Sequence, residues 1–242
     1  MKVSWFSCGC SSFLATWLVR DTVDEIIYTH VENQHSDSLR FLHDCEKLLN
    51  RKITILKSDN YSDIYDVFLR QGFINSPHGA PCTALLKKAV RKKWETLHNC
   101  YDGNTTYVWG FDCTERNRAD RLVNYMQLQK HEFPLIDNNL DKSDVHGYCE
   151  KLGLKRPVMY DLGYDNNNCV GCVKGGMGYW NKIRIDFPDV FDKMAKLERE
   201  IGASCINGVY LDELEPERGR KASIILPTCD IFCEIAVGNN IS

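Results

Sequence analysis

The 242-residue chain has no stretch approaching the roughly 20 consecutive apolar residues of a membrane-spanning helix, which excludes a helical membrane protein. It opens MKVSWF and reaches Ser7 and Gly9 before a leader-type apolar core can form, so a cytoplasmic protein is expected. It lacks an excess of positive charge. Its 30 Lys and Arg stand against 33 Asp and Glu, a net charge of −3, so no global field draws it to nucleic acid or to an anionic membrane. No internal repeat or low-complexity tract appears, which excludes solenoids and linker-like segments. No Lys follows the first glycine turn in the P-loop manner, which excludes a kinase-type phosphate site.

What the chain does have is cysteine, at 12 residues. Without an export signal this count points to metal binding or thiol chemistry and away from a disulfide framework. Cys45, Cys100 and Cys149 fall in helical or turn patterns and read as buried structural thiols.

Apolar runs alternate with amphipathic stretches through the first 150 residues. Strands are expected at 2–7, 25–31, 52–58, 106–112 and 133–136. Helices are expected at 11–20, 38–49, from a Ser62 cap to 69, at 83–98, at 114–128 with Thr114 as cap, and at 143–152. That rhythm predicts an α/β fold: a doubly wound, mostly parallel five-stranded sheet with helices on both faces. It breaks after Gly153, where Pro157, several glycines and Asn166-Asn167-Asn168 predict an irregular stretch over 155–178. A helix over 189–201, a charged turn at 212–220 and a strand at 224–226 follow. The expected plan is a nucleotide-binding domain over 1–153 and a cysteine-bearing C-terminal extension over 154–242.

Ser7-Cys8-Gly9-Cys10-Ser11-Ser12 marks the first strand-to-helix junction, the place where such sheets bind ligands. A helix N-terminus offers unpaired N–H groups and partial positive charge to an anion, Gly9 admits close approach, and the serines add hydroxyls. The alternative is that Ser11 or Ser12 merely caps the helix. The second strand ends in Thr29, Val31 and Glu32, beside that turn, where a ribose or adenine would rest. The fourth strand ends at Gly110 and leads to Arg116, Arg118 and Arg121, guanidinium groups suited to bidentate phosphate or sulfate contacts or, equally, to a solvated helix face.

Cys169-Val170-Gly171-Cys172 lies in an Asn- and Gly-rich loop, a pattern that converges two thiolates on one metal. Cys82 precedes the basic helix and is a candidate ligand or reactive thiol. Cys205, Cys229 and Cys233 are candidates for a fourth position, with Cys205 completing the expected set of Cys82, Cys169, Cys172 and Cys205. Spacing does not separate zinc from an iron–sulfur cluster, and a redox CxxC is a third option.

FSCGCSS (6–12), THVENQHSDSLRF (29–41), PCTALLKK (81–88), VWGFDCTERNRADR (108–121) and LGYDNNNCVGCVKGG (162–176) together resemble the phosphoadenosine phosphosulfate reductase family, in its phage- and prophage-associated branch. That family lies within the adenine nucleotide alpha hydrolase-like group, the PP-loop ATP pyrophosphatases. The resemblance spans most of residues 2–202. It implies the fold of that group and a phosphate turn written SxGxxS, matched by Ser7, Gly9 and Ser12, with Cys8 at the usual first glycine and Ser11 where the pyrophosphatases carry Asp. It implies ATP or a sulfonucleotide (PAPS or APS) as ligand, Mg2+ as companion ion, and a 4Fe–4S cluster, with zinc as alternative. Reductases of the family end in a catalytic cysteine, loosely echoed by Cys229.

The resemblance thus implies ATP pyrophosphatase-type activation coupled to sulfur transfer through Cys82 and its neighbours, with a sulfur donor as partner. A nucleic-acid acceptor would be tracked by the basic run Lys87-Lys88 and Arg91-Lys92-Lys93, which also reads as a solvated face. The competing function is sulfonucleotide reduction with Cys229 as nucleophile and a thioredoxin-like reductant. A non-catalytic, metal-stabilised nucleotide-binding protein is the third class.

Overall fold

The run KVSWF alternates its side chains across a pleat, and this single strand sets both faces of the sheet. Phe6 meets Tyr28 and Phe41 on one side, while Trp5 meets Trp94 and Tyr107 on the other. A strand buried on both faces belongs at the centre of a parallel sheet. In the computed structural model, which describes residues 1–76 and 79–219, it does. Strands β1 (Lys2–Phe6), β2 (Glu25–Thr29), β3 (Thr54–Leu56), β4 (Thr106–Val108) and β5 (Lys130–Glu132) lie in the order β3-β2-β1-β4-β5, and every pairing is parallel. The expected α/β class and five-stranded sheet are both present.

Helices α1 (Cys10–Leu18), α2 (Asp37–Leu49) and α3 (Ile64–Gln71) are followed by a helical run made of α4 (Pro81–Thr83), a π-helical segment Ala84–Lys88 and α5 (Ala89–Leu97). Next come α6 (Arg116–Tyr125), α7 (Pro134–Asp137), α8 (Lys142–Lys151), α9 (Val158–Asp161), α10 (Met177–Asp186) and α11 (Pro188–Ile201). None of the described helices is long and apolar enough to cross a membrane.

Three local expectations are corrected. The fifth strand is Lys130–Glu132, and the apolar stretch expected there is instead α7, because Pro134 at its first turn has no N–H for a ladder and a φ already suited to a helix. Asp63 caps α3 in place of Ser62, accepting from the Asp66 amide at 2.9 Å. Asp112 caps the turn at Cys113–Glu115 that precedes α6, where Thr114 was expected to cap. The strand expected at 224–226 lies outside the described residues.

The chain packs as two compact units, each drawn from three segments. The first takes Met1–His30, Ser36–Leu56 and Val90–Asp161 and contains the whole sheet. Its core joins Phe6, Phe13, Leu14, Tyr28, Phe41 and Leu42 beneath α1 and α2, with Val145 and Cys149 from α8. The second takes Val31–His35, Lys57–Ala89 and the chain from Leu162 onward. Trp180, Tyr179, Phe68, Ile74, Met194 and Leu211 are buried within it.

Candidate functional site

β1 runs directly into the turn at residues 7–9. The chain passes from β1 to β2 on one side, while β4 pairs on the other, so the carboxyl ends of β1 and β4 flank the point where strand order reverses. Cys8 adopts a left-handed backbone, φ 63°, a conformation that costs a non-glycine residue roughly 1–2 kcal/mol. Its buried thiol donates to the Ser38 carbonyl at 2.9 Å, which holds it there. Burial pushes that thiol up to about 12, which favours its neutral form. A hydrogen bond with Cys149, together with burial, likewise holds Cys10 protonated.

The three serines divide their work. Ser12 is buried, accepting from the Gly9 amide (3.3 Å) and donating to the Gly9 carbonyl (2.9 Å). Its own carbonyl accepts from Thr16, whose hydroxyl also meets Ser4 at 2.7 Å. Ser7 is exposed and Ser11 half-buried, so these two present the turn's outer hydroxyls. The α1 ladder begins with Phe13 N–H to Gly9 C=O at 3.1 Å, which leaves the amides of Cys10, Ser11 and Ser12 outside it.

Gly110 is brought to this turn. A Cβ there would lie 2.6 Å from the Ser12 Cα and 2.7 Å from its nitrogen, so two backbones meet where only glycine fits. Thr29 stands half-buried at the end of β2. Val31 and Glu32 belong to the second unit, where Glu32 is ion-paired with Lys57. Of the arginines, Arg118 pairs with Glu115 and lies over the Phe111 ring at 4.6 Å, Arg121 donates to Asn117 C=O at 3.3 Å, and Arg116 is exposed. Arg91 of the basic run is buried against Glu95 at 3.1 Å, so that run does not form one continuous charged surface.

Sequence reasoning missed Tyr160, whose hydroxyl lies 3.0 Å from where a Gly9 Cβ would stand. Tyr160 is far from the turn in sequence, and the signal that could have found it is the Asp37/Arg40 pair inside the second motif. That pair holds the segment carrying Tyr160: Arg40 donates to the carbonyls of Lys155 (2.8 Å) and Arg156 (3.1 Å), and Asp37 accepts from the Val158 amide at 2.8 Å.

Cys82, Cys169, Cys172 and Cys205 all belong to the second unit. Gly171 takes φ 76°, the left-handed turn a CxGC knuckle needs. The Tyr179 hydroxyl closes that knuckle, accepting from Cys172 N–H (2.9 Å) and donating to Cys169 C=O (3.3 Å). Asn75 donates to both Val173 C=O (2.9 Å) and Cys205 C=O (3.3 Å), tying the knuckle to the Cys205 loop. The fully buried Glu198 accepts from the amides of Cys205 and Leu211, each at 2.6 Å. Burial drives the Cys205 thiol well up, with Glu198, Cys172 and Cys82 acting in the same direction. Tyr65 feels both Cys205 and Cys169. Among the described residues, no three His, Cys, Asp or Glu side chains are grouped so as to hold a metal ion. Cys82 occupies the first turn of α4, behind Pro81, and Cys229 and Cys233 lie outside the described residues.

No family model matches the chain. It is similar to an uncharacterised protein of Methanocaldococcus jannaschii, 22% identical over 183 residues that make up 73% of this chain and 36% of that protein. The chain thus spans about a third of that relative's length. Its fold is similar to a phosphoadenylyl-sulfate (PAPS) reductase from Candida auris, solved as a phosphate complex, with a TM-score of 0.50 and 13% identity over 68% of this chain and 78% of that one. At that identity the likeness concerns the fold.

Proposed function

We propose that the sheet unit binds an adenine nucleotide by its phosphates at residues 7–12, and that the protein activates an acceptor as its adenylate for sulfur transfer. The observation that carries this reading is the turn itself. The first-turn amides outside the α1 ladder and the hydroxyls of Ser7 and Ser11 lie at the point of strand-order reversal, and Gly110, just past β4, is packed against the backbone of Ser11 and Ser12. Donors fixed before the reaction stabilise charge that develops on a phosphoryl group. An acceptor oxygen would attack the α-phosphorus and expel pyrophosphate, and sulfur from an external donor would then displace AMP.

The sulfur half belongs to the second unit. A donor set of four thiols suits a soft metal centre. The Tyr179 bridge and the Asn75 tie fit that role, since each holds a cysteine backbone in place, while Glu198 holds the Cys205 amide and also hydrogen-bonds its thiol. The four thiols suit either zinc or an iron–sulfur cluster, and metal analysis of the purified protein distinguishes the two. When bound, a 4Fe–4S cluster supplies a sulfur or electron carrier. Cys82, Cys169, Cys172 and Cys205 are the residues that would hold it.

The likeness to a PAPS reductase favours a second reading, sulfonucleotide reduction with Cys229 as nucleophile. Anaerobically purified protein, assayed for iron and labile sulfide and incubated separately with ATP and with sulfonucleotides, separates the two. Pyrophosphate release from ATP supports activation. Sulfite release that Cys229→Ser abolishes supports reduction, and nucleotide binding without either product sinks both.

A further inference from the structure

Gly9 has an ordinary extended backbone, φ −124°, so its conformation does not call for glycine. A Cβ there would stand 3.0 Å from the Tyr160 hydroxyl, tighter than an ordinary contact, so the tyrosine closes directly on this residue. The segment that delivers Tyr160 is firmly anchored. Arg40 is bidentate to Asp37, at 2.7 Å on each oxygen, and this same pair grips residues 155, 156 and 158. The Asp37/Arg40 pair on α2 thus anchors the segment that carries Tyr160.

Behind Tyr160 stands His146 of α8, its ring edge-on to the tyrosine at 4.9 Å and its Nδ1 shielded with no partner among the described residues. Lys142 and Arg156 act electrostatically on His146, and Arg156 also acts on Cys10 in the first turn of α1. Two carboxylates share this neighbourhood: Asp161 is paired with Arg156 at 2.7 Å, and Asp37, paired with Arg40 at 2.7 Å, also acts electrostatically on Cys8 of the turn. A phenol hydroxyl beside a turn whose own amides only donate, with basic groups around it, suits an anion that accepts from both sides.

Resting on the nucleotide reading above, we propose that Tyr160 is a phosphate-binding residue that roofs the turn and donates its hydroxyl to the bound nucleotide's phosphate, with His146 as the positioning residue behind it. The test is equilibrium binding of ATP, adenosine 5′-phosphosulfate and adenosine to wild type, Tyr160→Phe, His146→Ala and His146→Phe, with a thermal melt of each.

Tyr160→Phe is expected to weaken both phosphate-bearing ligands about tenfold, or about 1.4 kcal/mol. Adenosine affinity and the melt should hold, a split that a purely packing role would not produce. His146→Ala should weaken the same two ligands less, and His146→Phe, which restores the ring contact, should recover them. If wild type binds ATP and Tyr160→Phe binds it equally well, the Tyr160 role is overturned while the nucleotide reading stands. If wild type binds neither phosphate-bearing ligand, both fall together.

Discussion

Gly110 and Ser12 meet backbone to backbone: a methyl group on the glycine would come within 2.6 Å of the serine's Cα. The contact joins the end of β4 to the first turn of α1, so it fixes one wall of the proposed phosphate site.

Gly110→Ala must therefore push two main chains apart, with no flexible side chain to yield. Overpacking of this kind costs about 1–3 kcal/mol. Urea denaturation should show that loss, and ATP affinity should fall further than stability alone explains. A variant with wild-type midpoint and affinity would show that the two backbones part freely.

Cys8 gives an ordering test. Alanine at this position keeps the left-handed strain and loses the thiol's bond to Ser38, whereas glycine loses the side chain but removes the strain. Cys8→Gly should be more stable than Cys8→Ala by about 1 kcal/mol, within the cost of a left-handed non-glycine residue. The reverse order in chemical denaturation would place the side chain's packing above its backbone strain.

His131 predicts a pH dependence. Its Nδ1 accepts from the Trp109 indole N–H at 3.0 Å, and its Nε2 lies 2.7 Å from Met126 C=O. An indole only donates and a carbonyl only accepts, so the bonded form is the neutral ring carrying its proton on Nε2. Burial holds its pKa below the ordinary 6.5. Below pH 6.5 the unfolded chain takes up a proton that the folded one refuses, so stability falls as pH drops through that window and is level above it. His131→Gln offers the same acceptor and donor without titrating and should flatten this slope. Melting curves of the two proteins between pH 5 and 8 are the check, and parallel slopes would remove His131 as the cause.

Asn75 predicts a link between fold and metal. Aspartate in its place has no donor for the carbonyls of Val173 and Cys205 and sets a charge beside them, a loss of roughly 1–3 kcal/mol. Under anaerobic reconstitution, Asn75→Asp should retain far less iron per chain than wild type while its far-UV circular dichroism stays native. Equal iron would show that the Cys205 loop needs no such tie.

The sheet was legible because burial writes itself into composition: the apolar runs at β1 and β2 are buried, as their residue types require. β5 was misplaced for the same reason. Its residues, Lys130–Glu132, are polar, and it is a strand by virtue of its pairing with β4 and the Glu132–Lys2 ion pair at 2.8 Å, which no local pattern announces. Among the candidate residues, those of the turn at residues 7–12 and those of the CxGC knuckle each form a short run in the sequence, and both stand out there. Tyr160, Asn75 and Glu198 do not stand out. Each is an unremarkable residue type whose task is set by a partner elsewhere in the chain, such as the Cys205 carbonyl that Asn75 holds.

The central position of β1 also bears on how the protein is made. One flank of β1 is covered early by β2, but the other waits for β4, since Lys2 pairs with Thr106. At about 5–20 residues per second, a nascent chain takes on the order of ten seconds to deliver that partner. Through that interval an apolar strand presents an open hydrogen-bonding edge, the kind of edge that recruits other chains. The strands of the half-sheet β1–β2–β3 are thus all synthesised before Thr106–Val108, the partner for the other flank of β1.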